Sequence, residues 1–186
     1  VKVLSEYILS LGQEAYIPNF FCKAYRPVLY IPSKEEVKEL LQKMDIRTSH
    51  NSEQFRLDRE CKILFLLYFC CGLRLSEGRL LKWEHIDLDK GILTVLGSKG
   101  NKDRLVYLPQ DSLPVLKNYK ERQEMLFFCI DWAFPGKDPH KPVSCSGVES
   151  SFNRHWAMLP VARTVDKHRT PHCLRHAFVV ERFNEW

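Results

Sequence analysis

The sequence predicts a mainly α fold with a small antiparallel β-sheet, an α+β fold, and three observations lead to that prediction. Apolar residues recur at the spacing of one helix face in several segments. Two short runs, 92–96 and 104–108, carry residues that favour strands, and the link between them holds two glycines and an asparagine, which favours a hairpin. Hydrophobic residues make up 45% of the 186 residues, so the chain can form a core.

A proline-rich stretch divides the chain into two predicted domains. Residues 18–32 hold three prolines and several aromatic residues, which favours an extended connector after a short helix over residues 3–11. We therefore predict that residues 1–27 are the end of a preceding helical domain plus a linker. Residues 28–186 are predicted to form the main domain.

Start and stop signals bound the helices of the second domain. Ser33–Glu36 reads Ser-Lys-Glu-Glu, which is a capping box at a helix start. The run 63–71 is apolar on all sides and predicts a buried helix that ends at Gly72, whereas the polar segment 46–58 is predicted to be a loop. Further helices are predicted for 112–125, for 146–159 and from Pro171 onward.

Charge and cysteine content narrow the class of protein. The net charge of +5 permits a polyanionic partner without requiring one. The seven cysteines form no Cys-x-x-Cys pair, so the sequence predicts neither a zinc site nor a disulfide framework, and a reducing cytosol is the simplest compartment. The longest apolar run, 63–73, is too short to span a bilayer.

Two arginines lie in settings that suit a phosphate. Arg74 follows Gly72 in the corner predicted between two helices, and Arg175 lies one turn after His172 near a helix N-terminus. A guanidinium fork can bond two phosphate oxygens at once. Taken singly, each has a simpler explanation, since Arg74 could pair with Glu77 and Arg175 could be solvated.

The predicted hairpin is the third basic element. Its turn carries Lys99, Lys102 and Arg104, and its two glycines allow the backbone to approach a ligand closely. An exposed polar turn without a ligand explains the same residues.

Together, the three blocks resemble the tyrosine recombinase (phage integrase) family. They read Gly-Leu-Arg-x-Ser-Glu, then Gly-x-Lys-Gly-Asn-Lys-x-Arg, then Thr-Pro-His-x-Leu-Arg-His, and the resemblance covers roughly residues 31–186. It implies a site-specific DNA recombinase or integrase of a mobile element such as a phage or transposon. In that family a tyrosine attacks a DNA phosphodiester, which gives a 3′-phosphotyrosyl intermediate and a free 5′-hydroxyl, without a metal or a nucleotide cofactor.

The resemblance also implies the catalytic residues. Arg74 and Arg175 would neutralise the non-bridging oxygens of the phosphate as charge builds. His172 would shuttle a proton or donate a hydrogen bond. Lys99 would protonate the leaving 5′-oxygen, and Lys102 is the alternative because the hairpin block carries one extra residue.

Further residues and partners follow from the same resemblance. Glu77 is expected to brace Arg74, and His176 is expected to be structural. The partners implied are double-stranded DNA and other protomers of the same recombinase, without a membrane, in a bacterial cytoplasm and on the nucleoid when bound to DNA. DNA contacts are predicted for Lys102, Arg104, Lys167 and Arg169.

The attacking tyrosine has no match in this sequence. All seven tyrosines precede His172, so the nucleophile and the family's second histidine or tryptophan are expected beyond Trp186. We therefore expect the domain 28–186 to be incomplete at its C-terminus, and residues 1–27 to end the family's N-terminal core-binding domain. Three alternatives stay open: a type IB topoisomerase that relaxes DNA, a DNA-binding module without catalysis, and a soluble helical domain without a role on nucleic acid.

Overall fold

The computed structural model describes residues 2–17, 29–47, 49–98, 102–128, 130–163 and 169–185. Within these ranges the structure is mainly helical with one small antiparallel sheet, which confirms the predicted α+β class. The helices are α1 (Lys2–Ser10), α2 (Lys34–Lys43), α3 (Ser52–Cys71), α4 (Leu75–Arg79), α5 (Leu113–Leu126), α6 (Cys145–Trp156) and α7 (His172–Asn184), and the strands are β1 (Ile86–Asp87), β2 (Ile92–Ser98) and β3 (Lys102–Tyr107).

Helix α2 begins at the predicted capping box. The Ser33 backbone N–H donates to the Glu36 carboxylate at 2.8 Å, and the Glu36 backbone N–H donates to the Ser33 hydroxyl at 3.2 Å. The Tyr30 hydroxyl also donates to Glu36, at 2.7 Å. This local network fixes where helix α2 begins.

Helix α3 is longer than the sequence predicts. It begins at Ser52, because the Asn51 side chain accepts hydrogen bonds from two backbone N–H groups of the first turn, so the loop predicted for 46–58 is wrong from Ser52 onward. The first half of α3 is polar, yet Asp58 is buried and accepts hydrogen bonds from Ser151 and Arg154 of α6. This half of α3 is anchored by buried hydrogen bonds and not by an apolar face. The sequence therefore lacks the periodic apolar pattern that predicts a helix.

Helix α3 is also the centre of the core. Leu64, Phe65 and Leu67 are fully buried, and α3 packs against α2, α4, α5, α6 and α7. The ring of Phe65 meets the ring of Phe152 on α6 edge to face, with centroids 5.7 Å apart. Burial of this kind raises the pKa of the Cys61 thiol to about 12, so it is an inert core side chain.

The sheet is formed by the predicted hairpin and one additional short strand. Its order is β1-β2-β3, and β2 and β3 pair with Leu93 opposite Val106 and Val95 opposite Arg104. A bulge lies between Val95 and Ser98. Strand β1 falls just before the turn at 87–91 and was not predicted.

Helix α7 begins at His172, one residue later than predicted, and Pro171 stands immediately before it. None of the helices in the described ranges is long and apolar enough to cross a membrane.

Candidate phosphate-binding site

Arg74 lies in a tight corner between α3 and α4. Gly72 ends α3 with a left-handed backbone, φ +59°, and α4 begins at Leu75. Glu77, one turn into α4, accepts a hydrogen bond from the Arg74 backbone N–H at 2.7 Å and another from Arg74 Nη1 at 2.6 Å. The expectation that Glu77 braces Arg74 is confirmed.

Arg175 reaches the same corner from α7, although it lies 103 residues after Gly72 in the sequence. Its Nη1 donates to the Gly72 carbonyl oxygen. Three residues further along α7, the ring of Phe178 covers Gly72 so closely that a side chain there would overlap it. Helix α7 therefore presents Arg175 to the Arg74 corner, and glycine at position 72 makes this approach possible.

The cationic groups share one local electrostatic field. Burial lowers the pKa of Arg175, the positive charges of Arg74 and Arg104 lower it further, and Glu77 opposes them. Burial likewise lowers the pKa of His172, followed by the effects of His176, Arg175 and Arg74. Groups that alter one another's pKa in this way lie close together.

His172 and His176 lie one turn apart on α7. Their rings meet edge to face, with centroids 4.9 Å apart. Both rings are half-buried. The structural role expected for His176 stays a prediction, although its contact with His172 is now visible.

The hairpin contributes one arginine to the same site. Arg104 Nη1 and Nη2 donate to the two carboxylate oxygens of Glu77, at 2.9 and 2.8 Å. The bidentate pair with Glu77 was not predicted, because Arg104 was assigned to DNA binding. The sequence signal for this contact is the alternation of side chains along β3, which places those of Arg104 and Val106 on one face of the strand.

Of the other residues predicted to act on DNA, two lie within the described part of the chain and two do not. Lys102 is exposed on β3, and Arg169 is half-buried just before α7. Lys99 and Lys167 lie outside the described residues. The DNA contacts of Lys102, Arg104, Lys167 and Arg169 stay predictions, and so does the role of Lys99 as the general acid.

The arrangement suits an oxyanion with several oxygens. The guanidinium groups of Arg74 and Arg104 contact the carboxylate of Glu77, and Arg175 reaches the neighbouring Gly72 carbonyl oxygen, so three cationic groups face one carboxylate in this part of the described structure. The cluster therefore keeps an excess of positive charge after Glu77 is neutralised. Planar, charged donors held by packed helices are the groups that stabilise a phosphate and the charge that develops on it.

Comparison with known proteins identifies the family to which this chain belongs. The model of the Phage integrase family matches residues 33–184. Tyrosine recombinase XerA of Pyrococcus furiosus is 33% identical over 148 residues, which cover 78% of this chain and 45% of the relative. Tyrosine recombinase XerC of Alcanivorax borkumensis is 31% identical over 180 residues, which cover 96% of this chain and 56% of the relative. The chain thus spans about half the length of these relatives.

Solved structures share the fold. The XerH site-specific recombinase in its pre-cleavage complex with the difH substrate superposes with a TM-score of 0.68 at 22% identity, covering 98% of this chain and 51% of that one. The Tn1549 transposon integrase in complex with transposon right end DNA gives a TM-score of 0.72 at 13% identity, covering 98% of this chain and 64% of that one. With the family match and the two sequence relatives, this agreement establishes that the chain belongs to the phage integrase family of tyrosine recombinases.

Proposed function

We propose that this chain supplies the phosphate-binding site of a site-specific DNA recombinase or integrase of a mobile element. The observation that carries the proposal is the convergence of Arg74 and Arg175, from distant parts of the sequence, on the corner between Gly72 and Glu77. The names of the relatives support it, and so do the XerH and Tn1549 complexes with DNA.

The proposed reaction is a transfer of one phosphoryl group without oxidation or reduction. A tyrosine oxygen forms a bond to phosphorus, and the bond from phosphorus to the 5′-oxygen breaks. The tyrosine loses its proton, and the 5′-oxygen gains one from a general acid. Arg74 and Arg175 stabilise the charge that builds on the non-bridging oxygens, and His172 accepts a proton or donates a hydrogen bond to the phosphate.

The remaining parts of the complex belong to the same proposal. The tyrosine comes from outside residues 1–186, in the same polypeptide or in a partner protomer, because every tyrosine in this sequence precedes His172. We call the chain together with that tyrosine the complete recombinase. Residues 1–27 end a core-binding domain that closes around the duplex. Double-stranded DNA and further protomers are the partners, and a bacterial cytoplasm is the compartment.

Lys99 is the proposed general acid, with Lys102 as the alternative. In the complete recombinase, Lys99→Ala should slow cleavage, and a substrate with sulfur in place of the leaving 5′-oxygen should restore it, because a thiolate leaves without a proton. Cleavage rates on the two substrates check this. Rescue of Lys102→Ala and not of Lys99→Ala would assign the role to Lys102.

Orthovanadate tests the phosphate site in this chain without the tyrosine. Vanadate forms esters with hydroxyls and accepts five oxygen ligands, so at a nick that ends in 3′- and 5′-hydroxyls it mimics the phosphoryl group during transfer. We define the vanadate gain as the ratio of the Kd for a nicked duplex without vanadate to the Kd with it.

We expect a vanadate gain for the wild-type chain, and we expect Arg74→Ala and Arg175→Ala each to reduce it at least about tenfold, since each removes a charged donor. Arg122→Ala is the matched control, because Arg122 is exposed on α5, away from the site. Absence of a gain in the wild-type chain, or an undiminished gain in both site variants, would contradict the proposal.

A further inference from the structure

Glu77 is the point at which two guanidinium groups meet. Arg74 Nη1 donates to Oε1 of its carboxylate at 2.6 Å, and Arg104 donates to Oε1 and Oε2 at 2.9 and 2.8 Å. The Glu77 side chain is only 6% exposed, whereas those of Arg74 and Arg104 are 36% and 32% exposed. The carboxylate is therefore the buried member of the cluster, and the guanidinium groups reach it from the surface.

A carboxylate this deeply buried requires a cation. Removing the partner of a buried charge is strongly destabilising, because the remaining charge has lost its water and gained nothing in return. If Arg74 were the only cation on Glu77, a phosphate that attracted Arg74 would have to compete with that carboxylate. Each interaction of Arg74 with DNA would then be weakened by the loss at Glu77.

Arg104 removes this conflict. Its planar fork engages both oxygens of Glu77 at once, the geometry in which arginine binds a carboxylate best. The same hydrogen bonds to Glu77 are the largest cause of the raised pKa of Arg104. Glu77 thus keeps a charged partner when Arg74 turns toward another anion.

We propose that Arg104 is a positioning residue that neutralises Glu77 and so allows Arg74 to bind the phosphate. The inference rests on the proposed function of this site and deepens it. It changes the role of Arg104 from a DNA contact to a contact within the protein. It also ties the hairpin to the Arg74 corner, since β3 carries Arg104 and pairs it with Val95 on β2.

A double-mutant cycle with the vanadate gain as its readout tests this role. Arg104→Ala is compared with the parent chain in two backgrounds, wild type and Glu77→Gln. In the wild-type background we expect the gain to fall at least about tenfold, because Arg74 then has to neutralise more of the charge of Glu77. In the Glu77→Gln background we expect less than about a twofold change, because the neutral amide does not need a cation.

Other outcomes overturn the inference. An equal loss in both backgrounds would show that Arg104 contacts the DNA directly, and no loss in the wild-type background would show that it has neither role. Glu77→Gln alone is the reference for the second comparison, because Glu77 also braces Arg74 and its own effect on the gain cancels in the ratio.

Arg104→Lys is the control for the case in which Arg104→Ala fails to fold. It keeps the positive charge but not the fork, so we expect it to retain more of the gain than Arg104→Ala when both unfold at similar denaturant concentrations. A Lys variant as impaired as the Ala variant would mean that neutralising Glu77 is not what matters. A wild-type chain without any vanadate gain would instead refute the proposed function, so the two failures are distinguishable.

Discussion

The surroundings of His172 favour its neutral form over its protonated form. Burial lowers its pKa first, and His176, Arg175 and Arg74 lower it further. A neutral imidazole has a free ring nitrogen that accepts a proton, whereas an imidazolium has none. The same arginines that would hold the phosphate therefore also prepare His172 to act as a base.

Arg175→Ala should raise the pKa of His172, because it removes a neighbouring positive charge. A titration of the His172 ring followed by NMR checks this, with Arg122→Ala as the control that leaves the pKa unchanged. The same shift makes the stability of the protein depend on pH. Because the pKa of His172 is below the ordinary 6.5 in the folded protein, the unfolded chain binds this proton more tightly. Stability should therefore fall as the pH drops from about 6.5 through the pKa of the folded protein. A His172 pKa that stays constant or falls in Arg175→Ala would show that the charge of Arg175 does not lower the pKa of His172.

At the level of elements, the junction of α3, α4 and α7 aligns the site. Gly72 ends α3, its carbonyl oxygen receives Arg175, and its α-carbon lies under the ring of Phe178. Helix α4 packs on α3 just as closely, because a side chain at Gly78 would overlap Tyr68 and Leu64. Two close approaches at glycine thus hold both arginines at fixed positions.

Gly72→Ala should be much more destabilising than Gly97→Ala. Both glycines have nearly the same backbone, with φ of +59° and +58°, but a Cβ at Gly72 overlaps Phe178, whereas at Gly97 no described atom lies within 4 Å. We expect the free energy of unfolding to fall by about 2–4 kcal/mol for Gly72→Ala and by about 1 kcal/mol for Gly97→Ala. Denaturant unfolding measures both, and equal losses would mean that the Phe178 contact does not support the junction.

The elements that sequence predicts best are those defined by neighbouring residues. The capping box at Ser33, the hairpin and the end of α3 at Gly72 are local features, and all three are confirmed. The contact between Arg104 and Glu77 was missed because the sequence does not show which face of β3 points inward: Val106 is apolar on one face, and Leu105 and Tyr107 are apolar on the other. In the structure those two side chains are 60% and 75% exposed. Only tertiary packing reveals which face meets α4.

Among the buried carboxylates outside the site, Glu60 is the one that should make the stability of the whole molecule depend on pH. Glu60 on α3 pairs with Arg56 at 2.7 Å, one of its oxygens has no hydrogen-bond partner among the described residues, and burial raises its pKa to about 7. The folded protein therefore binds this proton more tightly than the unfolded chain. Stability should fall as pH rises from about 4.5 through about 7.

Glu60→Gln should remove that part of the pH dependence. The loss of unfolding free energy of the wild-type chain across this interval should exceed that of the variant by about 2–3 kcal/mol, because the neutral amide has no proton to lose. Denaturant unfolding at a series of pH values gives the difference. Parallel curves for the two proteins would show that Glu60 is already ionised throughout.

The central claim, that Arg74 and Arg175 together hold one phosphodiester of DNA for cleavage, is tested most directly by covalent capture. The complete recombinase is mixed with a duplex nicked beside the cleavage position, and the 3′-phosphotyrosyl adduct is measured together with the Kd for the duplex. We predict that Arg74→Ala and Arg175→Ala each lower the yield of adduct at least about 100-fold while retaining most duplex binding, and that Arg122→Ala changes neither. Normal adduct formation by either site variant would contradict the account.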